Sequence, residues 1–105
     1  MPLRERLKAD LLQAMKARQS STVTVLRTTL AAIDNAEAVE IDAATATALG
    51  QPTEVPRKLL TEADIQAILQ REIATVRANI AVYEQLGNQA KVAQLQTELD
   101  VLVGY

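Results

Sequence analysis

The stretch from Thr61 to Gly87 constrains this chain more than any other. Apolar residues recur there at Ile65, Leu69, Ile73, Val76, Ile80 and Tyr83, in steps of three or four, which is the spacing of one buried helix face. Its ends are typed. Thr61 and Asp64 form a capping pair, with Asp in the usual Glu position, and Gly87 is placed to end the helix in a left-handed turn. A helix over residues 62–86 spans about 37 Å. Asn88 then supplies the cap for a further helix over 89–103, whose stripe is Val92, Leu95, Leu99 and Leu102. One or two connecting residues force the two helices to fold back antiparallel, stripe against stripe. Almost no reactive chemistry is mounted on this hairpin, so it reads as a surface that binds something.

The first half repeats the pattern. Pro2 suits a first helical turn, and Leu3, Leu7, Leu11 and Met15 follow every four residues with Leu12 beside them. That helix should fade near Arg18 and Gln19. Ser20, Ser21 and Thr22 offer capping oxygens for a second helix with the stripe Val23, Leu26, Leu30 and Ile33. The β-branched run Thr22–Val25 favours a strand, but the helical spacing continues unbroken into Ile33, so a helix is expected, ending between Glu37 and Ile41. Residues 42–60 lose the periodicity. They hold an uncharged Ala/Thr run over 43–48, compatible with a short helical turn, and then Gly50, Pro52 and Pro56. The expectation is an all-α fold: a small bundle of four helices in two antiparallel hairpins, 2–40 and 61–103, with a linker at 41–60 crossing one end.

Composition agrees and also excludes. A chain of 105 residues fits one domain and buries roughly two-thirds of its unfolded surface. Hydrophobic residues make up 49% but aromatic ones only 2%, so the core must be aliphatic. Cysteine and histidine are both absent, which removes disulfides, the usual soft metal ligands and the commonest general base. The first thirty residues are charged and amphipathic, unlike a leader peptide, and no apolar run approaches about 18 residues. No membrane span, metal or cofactor is expected, and the expected compartment is the cytoplasm.

The polar residues give little chemistry. The hydroxyls of Ser20, Ser21 and Thr22 are explained by capping, since a nucleophile needs a base beside it. Asp34, Glu37 and Glu40 share a helix side, while Glu98 and Asp100 do not. None resembles a hard-cation loop, so all are expected on solvated faces. No glycine-rich phosphate loop can be written, and the two tyrosines are too far apart to make a stacking platform. Charge is more informative. Residues 1–33 carry six basic and two acidic side chains, a balance of +4, against −6 for the remainder. Lys16 and Arg18 sit where a helix ends, where cations favour the dipole by about 0.3–1 kcal/mol. The alternative use of Lys16, Arg18 and Arg27 is to meet a phosphate backbone. Arg27 can also flank the core or pair with Asp34 or Glu37. Tyr83 is expected half-buried with its hydroxyl at the rim.

Taken together, Leu7, Ala14-Met15-Lys16-Ala17-Arg18, Val25-Leu26-Arg27 and Ala31-Ala32-Ile33-Asp34-Asn35-Ala36-Glu37 resemble the opening of the GatB/YqeY domain. Leu60-Thr61-Glu62, Gln70-Arg71-Glu72, Arg77, Ile80, Tyr83-Glu84 and Leu86-Gly87 agree in order and spacing, as do Glu98, Leu102 and Tyr105. The similarity covers nearly the whole chain apart from 41–59. It is to free-standing YqeY-like proteins and to the first helical part of the tail domain of the tRNA-dependent amidotransferase B subunit. Asn88 stands where the family commonly has Arg. The resemblance implies an all-helical module that helps hold tRNA while a misacylated residue is amidated. The glutamine-dependent carbon–nitrogen ligase machinery belongs to other domains. The implied role is thus a tRNA-binding or accessory module without catalysis of its own, with Lys16, Arg18, Arg27 and Arg77 as RNA-binding candidates. The rival is a protein–protein adaptor that uses the exposed side of the third helix or the linker.

Overall fold

The computed structural model describes the backbone of residues 2–47 and 60–105, with side chains described for 2–37 and 60–105. Four helices follow in order: α1 (Leu3–Lys16), α2 (Ser20–Thr47), α3 (Glu62–Gln85) and α4 (Gln89–Val103). There is no strand among the described residues. The closest pairings are α1 with α2 and α3 with α4, and α2 also packs on α4. The fold is therefore all-α, a small bundle of two antiparallel helical hairpins. The expected crossing by the linker falls mostly on residues 48–59, outside the described residues.

Each helix buries most of the stripe that its spacing dictates, although on α2 it is Val25 that is buried and the expected Val23 is only half-buried. Ile65, Ile68, Leu69, Ile73, Val76 and Ile80 of α3 are buried, with Tyr83 packed half-buried at the margin. Leu95 and Leu102 of α4 close on them, and Val25, Leu26 and Ile33 of α2 join with Leu3 and Leu7 of α1. Leu7, Leu26, Ile33, Leu69 and Leu102 have no appreciable exposure, each worth about 1.5–3 kcal/mol of hydrophobic stabilisation.

Two expectations about α1 and α2 need correction. Met15 is not part of the buried stripe: it is 45% exposed, and Ala14 is buried in its place. Steps of four residues advance 400° and so drift about 40° each round the helix. After three steps the fourth member has left the core side. Second, α2 does not end between Glu37 and Ile41 but continues to Thr47. The Ala-rich run supplies strong helix formers, and no Gly or Pro interrupts it before Gly50.

The carboxylates also depart from expectation. Glu37 and Glu98 are both buried. Glu37 takes an ion pair from the Arg4 guanidinium across the α1–α2 hairpin. Glu98 accepts from the Gln94 amide one turn earlier at 3.1 Å. Neither lies on a solvated face, because side chains from other turns or helices cover them.

Polar ties fix α1 against the second hairpin. Pro2 stands at the cap of α1 and has no side-chain donor or acceptor to offer there. Glu62 supplies the acceptor from another helix: its carboxylate takes the Leu3 N–H at 3.1 Å. A negative charge at that end also favours the α1 dipole. At the other end of the chain the Tyr105 hydroxyl donates to Asp10, and the Arg6 guanidinium lies 5.1 Å from the centre of the Tyr105 ring. Burial, and then the bond to Asp10 and its negative charge, raise the Tyr105 pKa well above its usual value, with Arg6 opposing them.

Both hairpin turns close in the same way. At the end of α3 the Gly87 N–H donates to the Glu84 carbonyl and the Asn88 N–H to that of Tyr83, with Gly87 at φ 72°. At the end of α1 the Arg18 N–H donates to Met15 and the Gln19 N–H to Ala14, with Arg18 at φ 57°. These are two Schellman closures, one with the residue that geometry favours and one with an arginine. The helix that follows each turn starts differently. The Asn88 side chain accepts from Lys91 N at 3.1 Å, as its position predicts. Ser20 already lies inside α2 rather than ahead of it, and the Gln19 carbonyl accepts from Val23. The Thr61–Asp64 capping box forms in both directions, at 3.0 and 3.1 Å.

The matched turns yield a matched pair of substitutions. Nothing lies within 4 Å of a Cβ added at Gly87, so Gly87→Ala should lose only the backbone preference, about 1–2 kcal/mol. Arg18→Gly should move the other way, by up to about 1 kcal/mol, because relief of strain exceeds the added unfolded-state entropy. Urea unfolding midpoints of both variants check the two signs.

Candidate nucleic-acid interface

The turn of the first hairpin determines where its cations go. Lys16 is the last residue of α1, Arg18 occupies the left-handed position of the turn, and both are exposed. Arg27 lies about two turns into α2 and is also exposed. Its Nη2 reaches Met15 Sδ at 4.0 Å, which puts the guanidinium beside the last turn of α1. Lys16, Arg18 and Arg27 are therefore gathered at one end of the α1–α2 hairpin. The pairing of Arg27 with Glu37 that the sequence leaves open does not occur, since Arg4 occupies that carboxylate. None of these three cations forms an ion pair with a described residue.

Arg77 is not part of this group. It sits exposed on α3, six residues beyond Arg71 and so separated from it by about 120° around that helix. Arg71 borders an open groove of about 500 Å³ between α2 and α3, with Ala32, Asn35 and Ala36 on one wall and Glu72 and Thr75 on the other. Small side chains make that groove, and its two charged residues are of opposite sign. It carries no net attraction for an anion.

Three further exposed residues of α1 lie beside the cations of the turn. Leu12 is 53% exposed and Met15 45%. Lys8, one turn before Leu12, is exposed as well. The available signal was helical drift: a four-residue repeat carried to its fourth member points away from the core. On the opposite flank of α1, Asp10 is held by Tyr105 and Arg6 lies over the ring. These groups are engaged within the fold, unlike the cations at the turn.

Among the described residues, no three of Asp, Glu, His or Cys gather where they could hold a metal ion, and no helix is long and apolar enough to cross a membrane. What the basic end offers chemically is attraction for a polyanion and apolar contact, supported by a rigid two-helix base.

A family model described as Yqey-like protein matches residues 4–105. The chain belongs to the YqeY-like family. Searches of curated proteins and of solved structures returned no match. Membership in the YqeY-like family covers both hairpins, and so includes the turn that carries the cations.

An interface residue should be removable without loss of the fold. Lys16→Gln should lower stability by only about 0.3–1 kcal/mol through the α1 dipole. Arg27→Gln should change it by no more than about 0.5 kcal/mol, as for a surface side chain. Chemical unfolding of the two variants checks this, and a larger loss would make either side chain structural.

Proposed function

We propose that this YqeY-like chain is a non-catalytic RNA-binding module of the cytoplasm, accessory to chemistry on tRNA, and that Lys16, Arg18 and Arg27 contact the phosphate backbone. The observation that carries this reading is the gathering of three exposed, unpaired cations at one hairpin turn in a chain whose overall charge is −2. A net acidic protein repels a polyanion over most of its surface, so a local basic end both attracts and orients it. Arg18 strengthens the reading. A non-glycine residue in the left-handed region is strained, and such strain clusters at functional positions. Arg77 lies on a separate flank and contributes only where the RNA extends onto the second hairpin.

A protein-adaptor role is the second reading. It is favoured by Val82 and Leu86, four residues apart at the end of α3 and 54% and 70% exposed. A partner helix could cover such a pair. Size-exclusion chromatography with light scattering tests for a stable homodimer, which would favour this role over RNA binding.

Filter binding of tRNA at two salt concentrations tests the leading reading. The wild type should retain tRNA in a salt-sensitive manner. Each of Lys16→Gln, Arg18→Gln and Arg27→Gln should weaken retention about equally across tRNA sequences and lower the salt slope by about 1. Absence of salt-sensitive retention by the wild type contradicts the proposal.

A further inference from the structure

The basic end of the first hairpin has an apolar centre. Leu12 and Met15 are three residues apart on α1 and so neighbours on its surface, and about half of each side chain is exposed. Lys8 and Lys16 stand one turn to either side of Leu12, about 12 Å apart along the axis. Arg27 closes the remaining side, with its guanidinium 4.0 Å from the Met15 sulfur. No acidic residue falls between Asp10 and Asp34, so the Lys16–Arg27 end of the patch carries cations alone, while Glu5 and Asp34 border it at the Lys8 end. Asp10 is taken by Tyr105 on the opposite flank. Glu5 precedes Lys8 by three residues, and Asp34 follows Arg27 by seven, both away from the turn.

A surface that bound phosphates alone would need only the cations. Leucine and methionine at its centre would then face phosphate oxygens and water, with no gain from either. An apolar face inside a ring of cations is complementary to a ligand that presents an apolar plane between negative charges. In RNA that plane is the face of a nucleobase, and it is accessible only where the base is unpaired and unstacked, as in a loop, a bulge or a strand end. Within a regular duplex the faces are covered by stacking.

We propose that Leu12 and Met15 take an unpaired nucleobase of the bound RNA, while Lys8, Lys16 and Arg27 hold the phosphates around it. This rests on the RNA-binding reading above and adds the class of RNA: structured RNA with an exposed base, in preference to continuous duplex. The cations set affinity and salt dependence, and the apolar pair sets the preference for unpaired nucleotides.

The test uses the full chain, a stem–loop RNA with an unpaired loop, and a blunt duplex of the same stem sequence. Wild-type protein should prefer the stem–loop. The double variant Leu12→Gln/Met15→Gln, checked for unchanged helicity by circular dichroism, should lose about fivefold or more of its stem–loop affinity. Its duplex affinity and salt slope should stay as in the wild type. An equal loss on both RNAs, or no loss on either, overturns the inference while leaving phosphate binding in place. So does unchanged stem–loop affinity accompanied by lost binding of an acidic amphipathic peptide, which would assign the patch to a protein partner. A wild type that binds neither RNA overturns the RNA-binding reading itself, before any variant is made.

Discussion

Every feature of this protein depends on aliphatic stripes that no helix can bury alone. With two tyrosines and no phenylalanine or tryptophan, the chain has no large ring around which to assemble a core. It must interlock many small contacts, and the six buried positions of α3 serve as the spine for the other helices. Packing of that kind fixes which face of each helix is consumed. The opposite faces are left over, and their residues are free to meet another molecule. The polar ties from Glu62, Glu37 and Tyr105 act on this arrangement by fixing α1 against α3, α2 and the turn that follows α4. The base under the cations is thereby held rigid.

The two hairpin turns show how one local solution serves two purposes. Gly87 adopts the left-handed conformation without penalty and carries no side chain. Arg18 adopts nearly the same conformation at some cost in stability and sends a charged side chain outward. The difference between the turns is thus a difference between ending a helix and presenting a cation. It accounts for placing the candidate interface on the first hairpin, although the second is closed by the same hydrogen bonds.

Local chemistry was legible in the sequence, and contacts between distant residues were not. The Thr61–Asp64 box, the Gly87 turn and the Asn88 cap each depend on a few adjacent residues, and each forms where spacing places it. The stripes of α3 and α4 were equally plain. The end of α2 was harder to place, since residues beyond Glu37 have weak periodicity and only propensity to extend the helix. Arg18 in the left-handed region gave no warning, because arginine has no preference for it. The burial of Glu37 depends on Arg4, thirty-three residues away, and the docking of Tyr105 depends on Asp10, ninety-five away. No pattern within either segment announces such pairs. For the site, the three cations of the turn could be named from charge alone. That Arg27 meets Met15, and that Arg77 is set apart, required the packing.

The proposed docking surface is the outward side of the first hairpin, from Lys8 to Arg27, and not the groove beside Arg71 or the second hairpin. Amide chemical-shift mapping of isotope-labelled protein during titration with tRNA addresses this residue by residue. The account predicts perturbations concentrated at Lys8–Arg27, with the amides around Ile68–Thr75 and along α4 little changed. Perturbations centred on the α2–α3 groove or on Val82–Leu86, with the first turn silent, would contradict it.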